Sequence, residues 1–111
     1  MKQSELDQFI GTEQYWKHWT GVGVYTDGVK YLAEKAGAFW LLDVIFSYQK
    51  RKEPFQLWIL RVNEDKSAVV TMQEDCNTKV LIKQEFNFTT FPFKEIRLFY
   101  IDGVLLLPSE Y

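Results

Sequence analysis

The apolar residues of this chain repeat with one period before residue 54 and with another after it. Leu6, Phe9 and Ile10 stand at i, i+3 and i+4 behind Ser4 as N-cap, with Glu5 and Asp7 in the first turn and Gly11 as a stop. This spacing predicts a short helix over 4–10. The helical period returns at Thr26, where Thr26 or Asp27 can cap, and Val29, Leu32, Ala33 and Ala36 mark one face until Gly37 interrupts the run. It resumes with Leu41, Val44, Ile45 and Tyr48, while Phe39, Leu42 and Phe46 fill a second face. A helix apolar over most of its circumference is buried on several sides. One narrow stripe is left, Ala36, Trp40, Asp43 and Ser47, and it carries the lone acid of "AFWLLDVIF".

Past "KRKEP" the period becomes that of strands. "FQLWILRV" (55–62), "AVVTMQED" (68–75) and "KVLIKQEFNF" (79–88) read as strands. The last alternates Val80, Ile82 and Phe86 against Lys79, Lys83, Glu85 and Asn87, as a half-buried strand does. Pro92 in "TTFPF" has no place inside a ladder. "EIRLFYI" and "VLLLP" flank Asp102-Gly103, the dipeptide favoured by a type I′ hairpin. The early stretch "TEQYWKHWTGVGVYTDG" is rich in rings, and Gly21 and Gly23 argue against a regular helix, which leaves a short strand or a packed aromatic loop. Helices followed by a run of closely connected strands predict an α+β fold. In it, N-terminal helices pack on one face of a four- to five-stranded antiparallel sheet, in two layers, as a single domain over 1–111. The expected core includes Leu41, Val44, Ile45, Val80, Ile82 and Phe86.

Composition narrows the picture further. With 47% hydrophobic and 17% aromatic residues the chain is no disordered segment. Thirteen Lys plus Arg against fifteen Asp plus Glu give a net charge of −2, which argues against nucleic acid as partner. The one dense basic cluster, Lys50-Arg51-Lys52, reads as a solvated helix end or loop. The single Cys76 can form no internal disulfide, the N-terminal residues lack an apolar leader, and no apolar run reaches the ~20 residues of a membrane helix. The expected setting is cytoplasmic, without membrane contact.

Chemical motifs are few. There is no glycine-rich phosphate loop, no Cys-x-x-Cys and no His-x-x-x-His, and one His with one Cys cannot make a usual zinc site, so neither cofactor nor metal is expected. His18 lies between Lys17 and Trp19 in the aromatic stretch, and Cys76 falls in a polar turn, so no catalytic residue is assigned. Asp43 is the sharpest candidate. An acid on a largely buried helix opens to a groove, or accepts hydrogen bonds from Ser47, Trp40 or a loop donor. The first forty residues also hold more rings than so small a domain can cover, and Tyr and Trp are enriched in interface hot spots.

Three stretches, "YTDGVKYLAEKAGAFWLLDVIFSYQ", "FQLWILRVNEDKSAVVTMQED" and the terminal "GVLLLPSEY", with "FTTFPF" between them, together resemble an uncharacterised family of short proteins from cyanobacteria and other bacteria, met on plasmids and in phage genomes. The resemblance runs from "LDQFIGTEQYW" to Tyr111. It implies one compact intracellular domain in a mobile-element setting, and it supplies no catalytic residues. Positions that match the family's pattern include Thr26, Asp27, Gly28, Gly37, Trp40, Asp43, Pro92, Ser109, Glu110 and Tyr111, whereas Phe39 stands where a Tyr is expected.

These readings converge on a non-enzymatic interaction protein as the leading expectation, with inhibition of a host defence protein as a role the mobile-element setting implies. Thr26, Asp27, Trp40, Asp43, Glu110 and Tyr111 are its candidate binding residues, a protein is the expected partner, and a homodimer is a second form of association. The alternative is a small-ligand, nucleotide-like binder with Asp43 or Asp27 orienting the ligand. A third reading is a hydrolase-like enzyme pairing Asp43 with Glu110 or Asp27, which requires those acids to converge.

Overall fold

Thr26 ends a strand and begins a helix, and that junction organises the N-terminal half of the molecule. The computed structural model describes residues 6, 8–9, 14–49, 53–75 and 77–111. Thr26 is extended, and its Oγ1 accepts the Val29 amide, capping helix α1 (Asp27–Ala36). Gly37, in the left-handed region at φ 61°, closes α1 and donates its amide to the Ala33 carbonyl. Helix α2 (Phe39–Ser47) follows at once. The expected helix over 4–10, the Lys50-Arg51-Lys52 cluster and Cys76 lie outside the described residues, apart from Leu6, Gln8 and Phe9.

Seven strands of the described residues form one sheet. They are β1 (Tyr15–Lys17), β2 (Val24–Thr26), β3 (Phe55–Val62), β4 (Ala68–Gln73), β5 (Val80–Phe86), β6 (Glu95–Ile101) and β7 (Val104–Leu106), in the spatial order β1-β2-β7-β6-β3-β4-β5. A short 3₁₀ turn, Pro108–Glu110, follows β7. β3, β4 and β5 form an antiparallel meander, and β6 lies on the other side of β3. Asp102 and Gly103 take φ 50° and 83° in the β6–β7 hairpin, the positive pair that this dipeptide favours.

The expected four- to five-stranded antiparallel sheet with N-terminal helices packed on it is therefore corrected, among the described residues, to a seven-stranded mixed sheet with the two short helices α1 and α2. β2 runs parallel to β7, with Val24 beside Val104 and Tyr25 beside Leu105, and carries β1 with it as an antiparallel edge. The reason lies in length and distance. Three residues are too few to show a period, and β2 becomes a strand only because the chain's far end offers it an edge.

Side chains of the two helices and of one sheet face share a core. Val29, Leu32, Ala33, Leu41, Leu42, Ile45 and Phe46 meet Trp58, Leu60, Val70, Met72, Ile82, Leu98 and Leu105. Of the expected core residues, Leu41, Ile45 and Ile82 are buried, while Val44 and Phe86 are half-buried against the core. Val80 is instead 47% exposed. A bulge explains this: Ile82 pairs with Met72 and Val80 with Gln73, so Leu81 is the extra residue and Val80 falls out of the alternation. Side-chain amides reinforce the core's margin, where half-buried Gln49 and buried Gln56 donate reciprocally at 3.0 Å and Trp58 Nε1–H donates to Gln56 Oε1 at 2.9 Å.

Candidate functional site

The β1–β2 hairpin turns through residues 18–23. The His18 amide donates to the Gly23 carbonyl at 3.0 Å, and the Gly21 amide to the His18 carbonyl at 2.9 Å. This geometry sends consecutive side chains opposite ways. His18 turns inward and is 4% exposed, whereas Trp19 turns outward and is 80% exposed. The imidazole stacks on Phe46 of α2, with centroids 4.3 Å apart and planes at 16°, and Phe46 meets Tyr100 edge-on at 5.6 Å.

Both imidazole nitrogens are engaged. Nδ1 lies 2.7 Å from Thr20 Oγ1 and accepts the Thr20 backbone amide at 3.3 Å, and a backbone amide can only donate. Nδ1 is thereby an acceptor, so the proton sits on Nε2, which donates to Asp43 Oδ1 at 2.8 Å. The same Oδ1 accepts Trp19 Nε1–H at 2.8 Å. Asp43 has found its donors in the aromatic hairpin. Ser47 instead donates its hydroxyl to the Val44 carbonyl at 2.6 Å. Oδ2 of Asp43 accepts no hydrogen bond among the described residues, and the side chain is about half exposed. Phe39 lies one turn earlier on α2, and Val22 lies in the hairpin loop; both are exposed.

Carboxylate, imidazole and hydroxyl line up as Asp43, His18 and Thr20, the sequence of groups that activates a nucleophile. An acyl-transfer site also needs donors for a developing oxyanion. Three amides of the turn are committed elsewhere. Thr20 N–H goes to His18 Nδ1, Gly21 N–H to the His18 carbonyl, and Val22 N–H to Thr20 Oγ1 at 3.4 Å. The arrangement is one that holds a hairpin and its tryptophan in place.

The other candidate residues separate into distinct surroundings. Glu110 reaches the N-terminus of α1, where its Oε1 accepts the Thr26 hydroxyl at 2.6 Å and the Leu107 amide at 2.9 Å, and its Oε2 accepts the Gly28 amide at 3.3 Å. A carboxylate suits the positive end of a helix. Gly28 makes the seat, because a Cβ there would come within 2.7 Å of Glu110 Oε1. Asp27 accepts Trp16 Nε1–H at 2.8 Å, and Lys30 Nζ sits 3.4 Å over the Trp16 ring. Thr26, Asp27 and Glu110 are thus brought together around one helix end, as a clasp between the two ends of the chain. Asp43 stands apart from them, on α2 under the hairpin. Trp40 packs edge-on against Phe86 at 5.2 Å and, with Gly37, Phe88, Thr89 and Thr90, lines a cleft of about 460 Å³ to which neither Asp43 nor Asp27 contributes. Tyr111 is exposed and lies against Phe55 and Phe99.

Sequence reasoning did not find the partners. Trp16, Trp19 and Thr20 were not assigned as hydrogen-bonding groups, and His18 was not linked to Asp43 across 25 residues. One signal did exist: the single polar stripe on an apolar helix required donors from somewhere, and the aromatic stretch held the indole and imidazole nitrogens able to supply them. Among the described residues no group of three or more His, Cys, Asp or Glu is placed to hold a metal ion, and no helix is long and apolar enough to cross a membrane.

No curated protein and no solved structure matches the chain. A family model described as a family of unknown function, DUF6876, matches residues 1–111. The chain, over its full length, belongs to the DUF6876 family.

Proposed function

We propose that this protein is a non-enzymatic module that binds another protein, with the hairpin tryptophan and the Asp43 carboxylate at the centre of the contact. The observation that carries this reading is Trp19: its ring is 80% exposed, yet its indole N–H is fixed at 2.8 Å to an acceptor that a buried histidine also holds. An exposed Trp leaves unburied a large apolar area whose covering is favourable by a few kcal/mol. Holding it in one orientation before contact removes about 0.5–1.5 kcal/mol of side-chain ordering from the cost of association. Large, pre-ordered rings surrounded by partly apolar neighbours are the usual anchors of protein interfaces. Oδ2 of Asp43, which accepts no hydrogen bond among the described residues, favours a partner that brings an N–H donor, from a basic or amide side chain, beside the exposed Trp19 ring.

The test is capture of a partner by the immobilised chain from a lysate of its native host, with Trp19→Ala and wild type in parallel. Trp19 is 80% exposed but donates one hydrogen bond to Asp43, so the variant should keep the wild-type circular dichroism spectrum with a modest fall in melting temperature, while retention of the partner should fall by about tenfold or more, as for a hot-spot residue. Equal retention by Trp19→Ala, or no specific partner for the wild type, sinks the reading.

A further inference from the structure

Strand β5 (Val80–Phe86) ends the sheet. It pairs with β4 on one side and with no strand of the described residues on the other. An unpaired edge of this length is a template for another strand. The opposite edge, β1, spans only Tyr15–Lys17. Side chains along the regular part of β5 divide between the two faces of the sheet. Ile82, Gln84 and Phe86 lie on the helix side, where Ile82 joins the core, Gln84 accepts the Tyr48 hydroxyl at 2.9 Å, and Phe86 meets Trp40. Lys83 and Glu85 lie on the other face, opposite Thr71 and Val69, and form an exposed ion pair at 3.3 Å.

A second copy of the chain fits this edge. A two-fold axis perpendicular to the sheet pairs only residues that share a face, which limits the registers available. Centring the pairing on Lys83 sets lysine against lysine and Ile82 against Gln84. Centring it on Glu85 sets glutamate against glutamate. Centring it on Gln84 sets Ile82 against Phe86 and Lys83 against Glu85, each pair occurring twice by symmetry. Only this register matches apolar with apolar and opposite charge with opposite charge, and like charges exclude its nearest competitors.

We propose that the protein forms a two-fold homodimer through antiparallel pairing of β5 with β5 of a second copy, centred on Gln84, so that the two sheets join edge to edge. The two intrastrand Lys83–Glu85 pairs then close into a ring of four alternating charges, and the aromatic side chains beside Trp40 gain cover from the partner's Ile82. The Trp19 face lies on the hairpin and α2 and does not depend on this contact.

Sedimentation of the full chain over a dilution series tests the proposal, with four proteins compared: wild type, Lys83→Glu, Glu85→Lys, and the double exchange Lys83→Glu/Glu85→Lys. The wild type should be a reversible dimer. Each single reversal places like charges opposite one another at two symmetry-related positions and should raise the dissociation constant by about tenfold or more. The double exchange restores opposite charges and should return most of the affinity. Trp19→Ala should leave the association unchanged, which separates this result from any failure of partner binding. A wild type that stays monomeric at its highest soluble concentration, single reversals without effect, or a double exchange no better than the single variants, each overturns the proposal.

Discussion

At the scale of single residues, the chemistry of this protein lies in how a few polar groups are held among rings. Asp43 sits on a helix with an otherwise apolar surface, and it is stabilised by two charge-assisted hydrogen bonds from ring N–H groups at 2.8 Å. His18 transmits that hold to the core through its stack on Phe46, and Phe46 leans on Tyr100. Tyr100 gives this chain of rings a measurable titration. Burial raises its phenol above the ordinary 10.0, and Tyr25 is raised likewise by burial and by the nearby Glu34 charge. A raised native pKa means the neutral phenol is favoured in the fold. Its contribution to stability is complete below pH 10 and is lost as pH rises through the native value. Urea unfolding at stepped pH should show a midpoint that falls on the alkaline side of pH 10, and Tyr100→Phe should make that fall shallower. An unchanged slope in the variant would remove Tyr100 from the account.

At the scale of elements, helix α1 is started by residues from both ends of the chain. Thr26 supplies the local cap that its sequence position predicts, and Glu110 supplies a carboxylate from 84 residues away. Glu110→Ala removes the hydrogen bonds from Thr26, Gly28 and Leu107 to one charged group and the anion at the positive end of the helix, so it should cost about 2–3 kcal/mol. Thr26→Ala alone should cost about 1 kcal/mol. Because the Thr26 hydroxyl donates to Glu110, the double variant should lose less than the sum of the two. Denaturant unfolding of the four proteins measures this coupling, and strict additivity would show that the clasp does not act as a unit. α2 has no side-chain cap, and only Ala38 separates it from Gly37. Burial of Leu41, Leu42, Ile45 and Phe46 holds it instead.

At the scale of the whole molecule, the decisive feature is the seam where β2 meets β7. It joins the hairpin that carries Trp19 to the meander, and it runs through Gly23. The Val24 amide donates to the Gly103 carbonyl at 2.9 Å. A Cβ on Gly23 would lie 2.7 Å from that carbonyl oxygen, 2.7 Å from the Tyr100 hydroxyl and 2.9 Å from Phe46 Cε1. The backbone oxygen cannot swing aside as a flexible side chain could. Gly23→Ala should therefore destabilise by about 1–3 kcal/mol through overpacking. Amide hydrogen exchange should show lost protection over Val24–Thr26, with β3, β4 and β5 still protected. Uniform loss across the sheet would mean that the seam is not a separate unit.

By itself the sequence determined the local structure of the longer elements. Thr26 as cap, Gly37 as an interruption, the positive-φ turn at Asp102-Gly103 and the alternation from Ile82 to Phe86 in β5 are decided by φ/ψ preference and neighbouring side chains, and all four are readable in a few consecutive residues. The narrow polar stripe that singled out Asp43 was legible for the same reason, because helical spacing fixes which residues share a face. Tertiary structure alone decided the rest. β1 and β2 are three residues each and have no period to read, and they exist as strands because Leu105 and its neighbours lie beside them. The partners of Asp43 and Glu110 lie 25 and 84 residues away, brought within hydrogen-bonding reach by burial of the shared core. Local propensity is set by each residue's own backbone and nearest side chains. Such distant pairings offset their chain-closure entropy only once the whole core has formed, so no short window of sequence can display them.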